Sequence, residues 1–274
     1  MTTRQFGAPV QRKEDPRLLT GNGRYLDDLG AGALAAAFVR SPHAHARITD
    51  IDITDAWEVE GVEAIYTFED LEEGMALPLP VLIPHPALTH SRTGYALAKD
   101  EVNHVGEPIV MVVARDRYLA EDAVGRISVS FEILPVVVGV EAARSGATLV
   151  HEDAPGNVAA HLVQEVGDVD AALAAAPHRL TIPLAIERSA CMPMEGKGVL
   201  ASWDADDQSM RMWSSTQTTT GVRAAVAARM GLPLAKIHCI APDMGGGFGV
   251  KIVHPWAEEL LVPWASRNLR RDVK

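Results

Sequence analysis

The 274-residue chain is 47% hydrophobic and 22% charged, the composition of an ordinary globular protein rather than a disordered or fibrous one. A formal net charge of −11 leaves no basic face to neutralise phosphates, so a nucleic-acid partner is excluded. The two cysteines, Cys191 and Cys239, are too few for a disulfide framework and lack the spacing of a zinc or iron–sulfur site; both read as buried small hydrophobes.

Residues 1–18 form a polar arm with no apolar run of signal-peptide length, which predicts a cytoplasmic protein. Ordered structure is expected from the turn at Gly21 and Gly23 onward. Residues 33–39 are a short apolar run closed by Ser41 and Pro42, and 46–53 place Ile48, Ile51 and Ile53 in a half-buried strand's pattern. Residues 62–68 read as another strand. Pro78, Pro80, Pro84 and Pro86 remove backbone donors and make 76–90 an extended surface excursion. Residues 109–114 are the most continuous apolar stretch, a buried strand far short of the roughly 20 residues of a membrane span. A short helix over 116–124 and an alternating strand through Ile127, Val129, Phe131 and Ile133 complete a strand-helix-strand unit. A domain boundary is expected near 135–155.

Beyond it, Asp168 can cap a short helix to 176, and strands over 199–204 and 209–213 form a hairpin around Asp204. Thr219 or Thr220 can cap a helix with Val222, Ala225, Val226 and Met230 on one face, ended by Gly231 and Pro233. A strand over 237–241 then runs into a glycine-rich loop. After Pro255 the stripe Ala257, Leu260, Leu261, Trp264 and Ala265 predicts a helix that must be buried. Pro263 inside it predicts a kink or early break, because an interior proline costs about 3 kcal/mol. No element is expected after it to complete the sheet. The stripe should therefore leave an exposed apolar patch, and the second half should fold less firmly than 109–133.

The loop Gly245, Gly246, Gly247, Phe248, Gly249 is the strongest local signal, since consecutive glycines let backbone N–H groups converge on a ligand. A sharp structural turn is the plain alternative. Neither common nucleotide motif fits: Lys251 is followed by Ile252 rather than a hydroxyl residue, and Gly245, Gly247 and Gly249 lack the dinucleotide-loop spacing. His43 and His45, two apart, would share a strand face as metal ligands do. His85, His90 and His104 sit near prolines or turns and read as solvated. His151-Glu152 lacks the second histidine of a zinc protease, and no Gly-x-Ser-x-Gly elbow is present.

The run from Trp213 through Gln217 to Ile240 and the loop up to Lys251 resembles a signature of molybdenum hydroxylase large subunits of the xanthine dehydrogenase, aldehyde oxidase and carbon monoxide dehydrogenase type. Further collinear matches lie at Arg12 to Tyr25, Phe38 to Ala46, Val105 to Pro108, Arg117 to Ala123 and Met194-Glu195. The resemblance implies an α+β architecture: an a/b hammerhead domain over 19–136, then the first part of a molybdopterin-binding domain over 137–274. It makes the segment with His43 and His45 structural. It implies that Gln217 hydrogen-bonds an oxo ligand of the molybdenum, that Phe248 lies in the substrate pocket, and that Gly246, Gly247 and Gly249 bring backbone close to the cofactor. Molybdenum is held in this family through the pterin, here expected in its cytosine dinucleotide form, so no direct metal ligand is expected.

The implied activity is hydroxylation of a carbon centre with water as oxygen source and electrons leaving to iron–sulfur and FAD subunits. Purine-oxidising members carry a glutamate after the lysine of this loop; Ile252 stands there, which disfavours purines and leaves aldehydes, carbon monoxide or other N-heterocycles. The family's catalytic glutamate is expected beyond Lys274, so no catalytic residue is assigned within the chain and a second chain completing the subunit is an expected partner. The alternative is a non-catalytic assembly module or the remnant of a split gene.

Overall fold

The computed structural model describes residues 6–187, 189–252 and 255–274. The first five residues of the polar arm lie outside these. Within the arm, Pro16 helps start a short helix, α1 (Asp15–Leu19), so ordered structure begins earlier than Gly21.

The first half contains β1 (Ala35–Arg40), β2 (Ala46–Asp52), β3 (Val62–Tyr66), β4 (Glu101–Val102), β5 (Pro108–Ala114), α2 (Arg117–Val124) and β6 (Ser128–Ile133). They make two antiparallel sheets, β1-β5-β3 and β4-β2-β6. Every residue of β5 is buried because both faces are covered. Met111 and Val113 join one core, with Leu34, Leu71 and Met75; Val110 and Val112 join the other, with Ala46, Val102 and Ala123. Asp116 caps α2 by accepting from the Leu119 amide at 3.0 Å. The expected strand-helix-strand unit is corrected in one respect: β5 and β6 lie in different sheets. The half-apolar β6 pairs with β2, whose alternation matches its own, while the wholly apolar β5 takes the position covered on both sides.

The second half contains α3 (Val140–Ser145), α4 (Val169–Ala175), β7 (Val199–Asp204), β8 (Ser209–Ser214), α5 (Thr219–Met230), β9 (Ile237–Ile240) and α6 (Ala257–Leu269). Asp168 caps α4 through the Ala171 amide at 2.8 Å. The β7-β8 hairpin turns on Asp204, which accepts from the amides of Asp206 and Asp207, and β9 joins β8 in parallel. Neither Thr219 nor Thr220 caps α5. Thr218 is the cap residue, and its amide is taken by the hydroxyl of Thr216, which is buried at the end of β8. Cys191 is exposed, against the expectation for a small hydrophobe; Cys239 is partly buried, and that burial pushes its thiol up to about 12.

Two expectations for the chain's last residues are overturned. Helix α6 runs unbroken through Pro263, which is itself buried, because packing on nearly every side outweighs one lost helix bond. An element does follow it: residues 272–274 lie between β1 and β7. Leu34 N donates to Asp272 O at 2.8 Å and Ala36 N to Lys274 O at 2.7 Å, while Val273 and Ala201 exchange both backbone bonds at 2.8 and 3.0 Å. The sheets of the two halves are thereby joined edge to edge. Leu260, Leu261 and Trp264 are consequently buried against Met111, Val113, Val199 and Met212, with Trp264 edge-to-face on Tyr66 at 4.7 Å. No apolar patch is left on this helix. Truncating Trp264 should act on both halves at once: Trp264→Ala is expected to lower stability by about 3–5 kcal/mol, in one urea transition. Amides of α6 should exchange as slowly as those of β5; two separate transitions would contradict the shared core.

Candidate functional site

Strands β8 and β9 are parallel neighbours, with Trp213 opposite Ile240, and α5 connects them. Their carboxyl ends therefore lie side by side, the position where open α/β sheets bind ligands. Gln217 follows β8 and the glycine loop follows β9, so residues far apart in sequence meet there. The Gly249 amide donates to Gln217 Oε1 at 3.1 Å, and the Gln217 amide donates to Lys251 O at 3.0 Å. Thr216 Oγ1 donates to the same carbonyl at 3.1 Å. The side-chain Nε2 of Gln217, by contrast, has no partner among the described residues, and the residue is exposed.

Glycine is required at two loop positions. A Cβ on Gly247 would stand 2.6 Å from Gln217 Cδ and Oε1, and Gly246 has φ +103° with a Cβ position 2.9 Å from the Phe248 ring. Phe248 itself holds φ +49°, a left-handed conformation that costs a non-glycine residue energy, and its side chain is 70% exposed. Ile252 is half-exposed at the loop's far end. The site residues expected from the sequence, Gln217, Gly246, Gly247, Phe248, Gly249 and Ile252, are thus brought together.

Sequence reasoning missed what holds them. Glu195 Oε2 accepts from the Gly245 amide and from the Lys251 ammonium, each at 2.9 Å, and its Oε1 accepts from the Leu26 amide at 3.3 Å. The Lys251 side chain is 1% exposed, so the pair is an internal brace rather than a surface contact. A fully buried carboxylate, Glu259, accepts from Ser214 Oγ at 2.8 Å and the Trp256 amide at 3.0 Å. Lys197 Nζ stands 2.9 Å from Glu259 Oε1, at ion-pair distance though not aligned for a hydrogen bond. Asp243 ties the loop to the arm: Arg17 pairs with its carboxylate and the Arg24 amide donates to it at 2.8 Å. Met194-Glu195 and Arg12 to Tyr25 had stood out only as matching segments; 50 or more residues separate each from the loop, so no periodicity could have connected them.

His43 and His45 lie ahead of β2, not on it. His45 bridges Glu101, at 2.6 Å, and Pro135 O, at 2.7 Å, whereas His43 packs edge-on against Phe131. Among the described residues no group of three or more His, Cys, Asp or Glu could hold a metal ion. A ligand at the loop would meet backbone N–H groups, the Gln217 amide and the Phe248 ring, with the Glu195 and Asp243 carboxylates each already paired with a cation. That donor set, and a cradle that a Cβ at Gly247 would fill, fit a bulky anionic cofactor whose metal is bound by its own ligand.

Removing one member of the brace should be costly. Lys251→Met leaves Glu195 without its counter-charge and is expected to destabilise the chain by about 3 kcal/mol in urea unfolding, with Glu195→Gln restoring part of the loss. Equal stabilities for all three proteins would show that the pair holds nothing. The arm's tether should depend on pH. The Arg17 guanidinium, followed by the Arg24 amide, lowers the Asp243 carboxyl to about 2, below its ordinary 3.8. A group depressed in the folded state contributes above its unfolded value and loses that contribution as pH falls through its folded one. In an NMR titration the Arg24 amide should therefore shift with a midpoint near 2; a midpoint near 4, or the same shift in Asp243→Asn, would contradict the tether.

Comparison with known proteins bears on both halves. Residues 20–135 match the family model for the aldehyde oxidase and xanthine dehydrogenase a/b hammerhead domain, and residues 150–274 match that for the molybdopterin cofactor-binding domain. The chain is 38% identical to the nicotine 6-hydroxylase large subunit of Paenarthrobacter nicotinovorans, over 100% of its own length and 33% of that protein's. It is 34% identical to the carbon monoxide dehydrogenase large chain of Afipia carboxidovorans, over 90% of this chain and 32% of that one. Quinoline 2-oxidoreductase from Pseudomonas putida 86 superposes with a TM-score of 0.87 at 37% identity, covering 96% of this chain and 33% of that one. The chain thus spans about a third of the length of the relatives it matches. With both of its halves matched in order, and an α+β fold shared with the solved relative, the chain belongs to the molybdenum hydroxylase large subunits of the xanthine dehydrogenase, aldehyde oxidase and carbon monoxide dehydrogenase family, of which it corresponds to part.

Proposed function

We propose that this chain supplies one wall of the cofactor site in a heteromeric molybdenum hydroxylase. The observation that carries the reading is the meeting of Gln217 and the glycine loop at the carboxyl ends of β8 and β9, with the Gln217 Nε2 donor left without a partner. When bound, molybdenum–molybdopterin, in its cytosine dinucleotide form, supplies the two-electron oxidation by which a carbon centre gains an oxygen from water. Gln217 donates toward it without adding charge, and Gly246, Gly247 and Gly249 let the main chain approach it. Phe248 and Ile252 present apolar surface to the substrate. Ile252 offers no polar contact to a purine ring, and two of the relatives named above are named for nicotine and quinoline; an N-heterocycle is the substrate class favoured.

Electrons leave to an iron–sulfur small subunit and an FAD-binding medium subunit in the cytoplasm. No helix among the described residues is long and apolar enough to cross a membrane. Co-expression of a large subunit that carries these residues with both redox subunits tests the reading. The complex should contain molybdenum, iron and FAD, and Gln217→Ala and Phe248→Ala should each lower turnover, the former by about 10²-fold, at unchanged molybdenum content. A complex devoid of molybdenum, or full turnover in both variants, would refute the assignment.

A further inference from the structure

The polar arm folds back on itself before it reaches the glycine loop. The Asn22 amide donates to Arg17 O at 2.8 Å, Asn22 Nδ2 donates to Thr20 Oγ1 at 2.9 Å, and Gly21, at φ +75°, lets the chain reverse between them. The reversal brings the Arg17 guanidinium and the Arg24 amide to one carboxylate, that of Asp243. Asp243 N in turn donates to Arg24 O at 3.1 Å. None of residues 6–24 is buried. Among the described residues, every hydrogen bond and ion pair that 6–24 make outside the arm ends on Asp243.

Asp243 stands two residues ahead of Gly245, and a second joint lies two residues further along both segments. There Leu26 N and Gly245 N donate to the two oxygens of a single carboxylate, Glu195, at 3.3 and 2.9 Å. Residues 24–26 and 243–245 are thus joined at both ends. The joint at Glu195 is supported from within, because its lysine partner is 1% exposed and Leu26 is buried. The joint at Asp243 depends on Arg17, whose side chain is 43% exposed and supplies the only cation at ion-pair distance from Asp243 among the described residues. A forked guanidinium fixes a carboxylate in orientation as well as in place. Beyond this joint the amides of Gly246 and Gly247 have no partner among the described residues, so their direction is set by where the chain enters the loop.

We infer that Arg17 is a positioning residue for the cofactor loop: by clamping Asp243 it fixes the entry at Gly245 and with it the direction of the free Gly246 and Gly247 amides. The inference rests on the reading that this loop receives molybdenum–molybdopterin, and deepens it by naming a residue outside the pocket that orients the loop. The test is amide exchange followed by NMR in the intact chain, read at Gly245 with β5 as the internal reference. Arg17→Ala should speed exchange at Gly245 by about tenfold or more and leave β5 within about threefold of wild type. Arg17→Lys, which keeps the charge without the fork, should recover part of the loss, and Arg24→Ala, which keeps both backbone bonds, should match wild type. In an Asp243→Asn background, Arg17→Ala should add nothing further, because the two side chains act as a unit. Unaltered exchange at Gly245 in Arg17→Ala, or an effect of equal size in the Asp243→Asn background, would overturn the inference. So would β5 speeding up in parallel with Gly245, which marks lost stability rather than lost position. In a large subunit that carries these residues, assembled with both redox subunits, Arg17→Ala should release molybdenum on dialysis about tenfold faster than wild type. Equal release would overturn the role toward the cofactor. A wild-type complex devoid of molybdenum, with Gly245 still loosened by Arg17→Ala, would instead overturn the cofactor reading and uphold the dependence of the loop on Arg17.

Discussion

The backbone bonds of residues 272–274 to β1 on one side and β7 on the other are the constraint on which the rest of the structure depends. They join the sheets of two otherwise separate halves, and α6, which precedes them, is drawn beneath the seam. Its stripe then fills the space between Met111 and Val113 on one side and Val199 and Met212 on the other. A helix packed this completely tolerates Pro263, because the lost bond is local while the burial extends along its length. The same seam explains the composition of β5. A strand covered by its own half on one face and by the other half on the second has no use for polar residues.

The site inherits its rigidity from that seam. With β7 tied to residues 272–274, the hairpin partner β8 and its parallel neighbour β9 are held, and so are the two carboxyl ends that carry Gln217 and the loop. Two carboxylates lie around these ends, Glu195 partly buried under the glycines and Glu259 fully buried at the start of α6, and each is matched by a lysine. Burying a charge is costly unless it is paired and hydrogen-bonded. Both carboxylates also accept backbone amides, so their second function is to hold main chain: the loop through Gly245, and the entry of α6 through Trp256. In a chain of net charge −11, this local neutrality leaves a cradle of donors that does not repel an anionic ligand.

Much of the fold was legible from short-range pattern. The alternating strand over 46–52, the hairpin strands 199–204 and 209–214 around Asp204, the Asp116 and Asp168 caps and the Gly231 stop are each decided by neighbours within a few residues, and the structure has them. The candidate site was legible in a different manner. Its glycines and glutamine resemble a known loop, whereas Glu195, Lys197, Glu259 and Asp243 carry no local pattern, because a buried ion pair is defined by two side chains meeting across the fold.

By itself the sequence determined where apolar faces lie and which residues turn the chain, both consequences of backbone sterics and side-chain period. Only the tertiary structure decided which sheet each strand joins, that β5 and β6 part company, and that residues 272–274 act as a strand between two sheets. The physical reason is the same in each case. Strand pairing and ion pairing are satisfied by any partner of the right shape and charge, and the choice among partners is made by the packing of the whole molecule, where Trp264 meets Tyr66 and Glu195 meets Lys251.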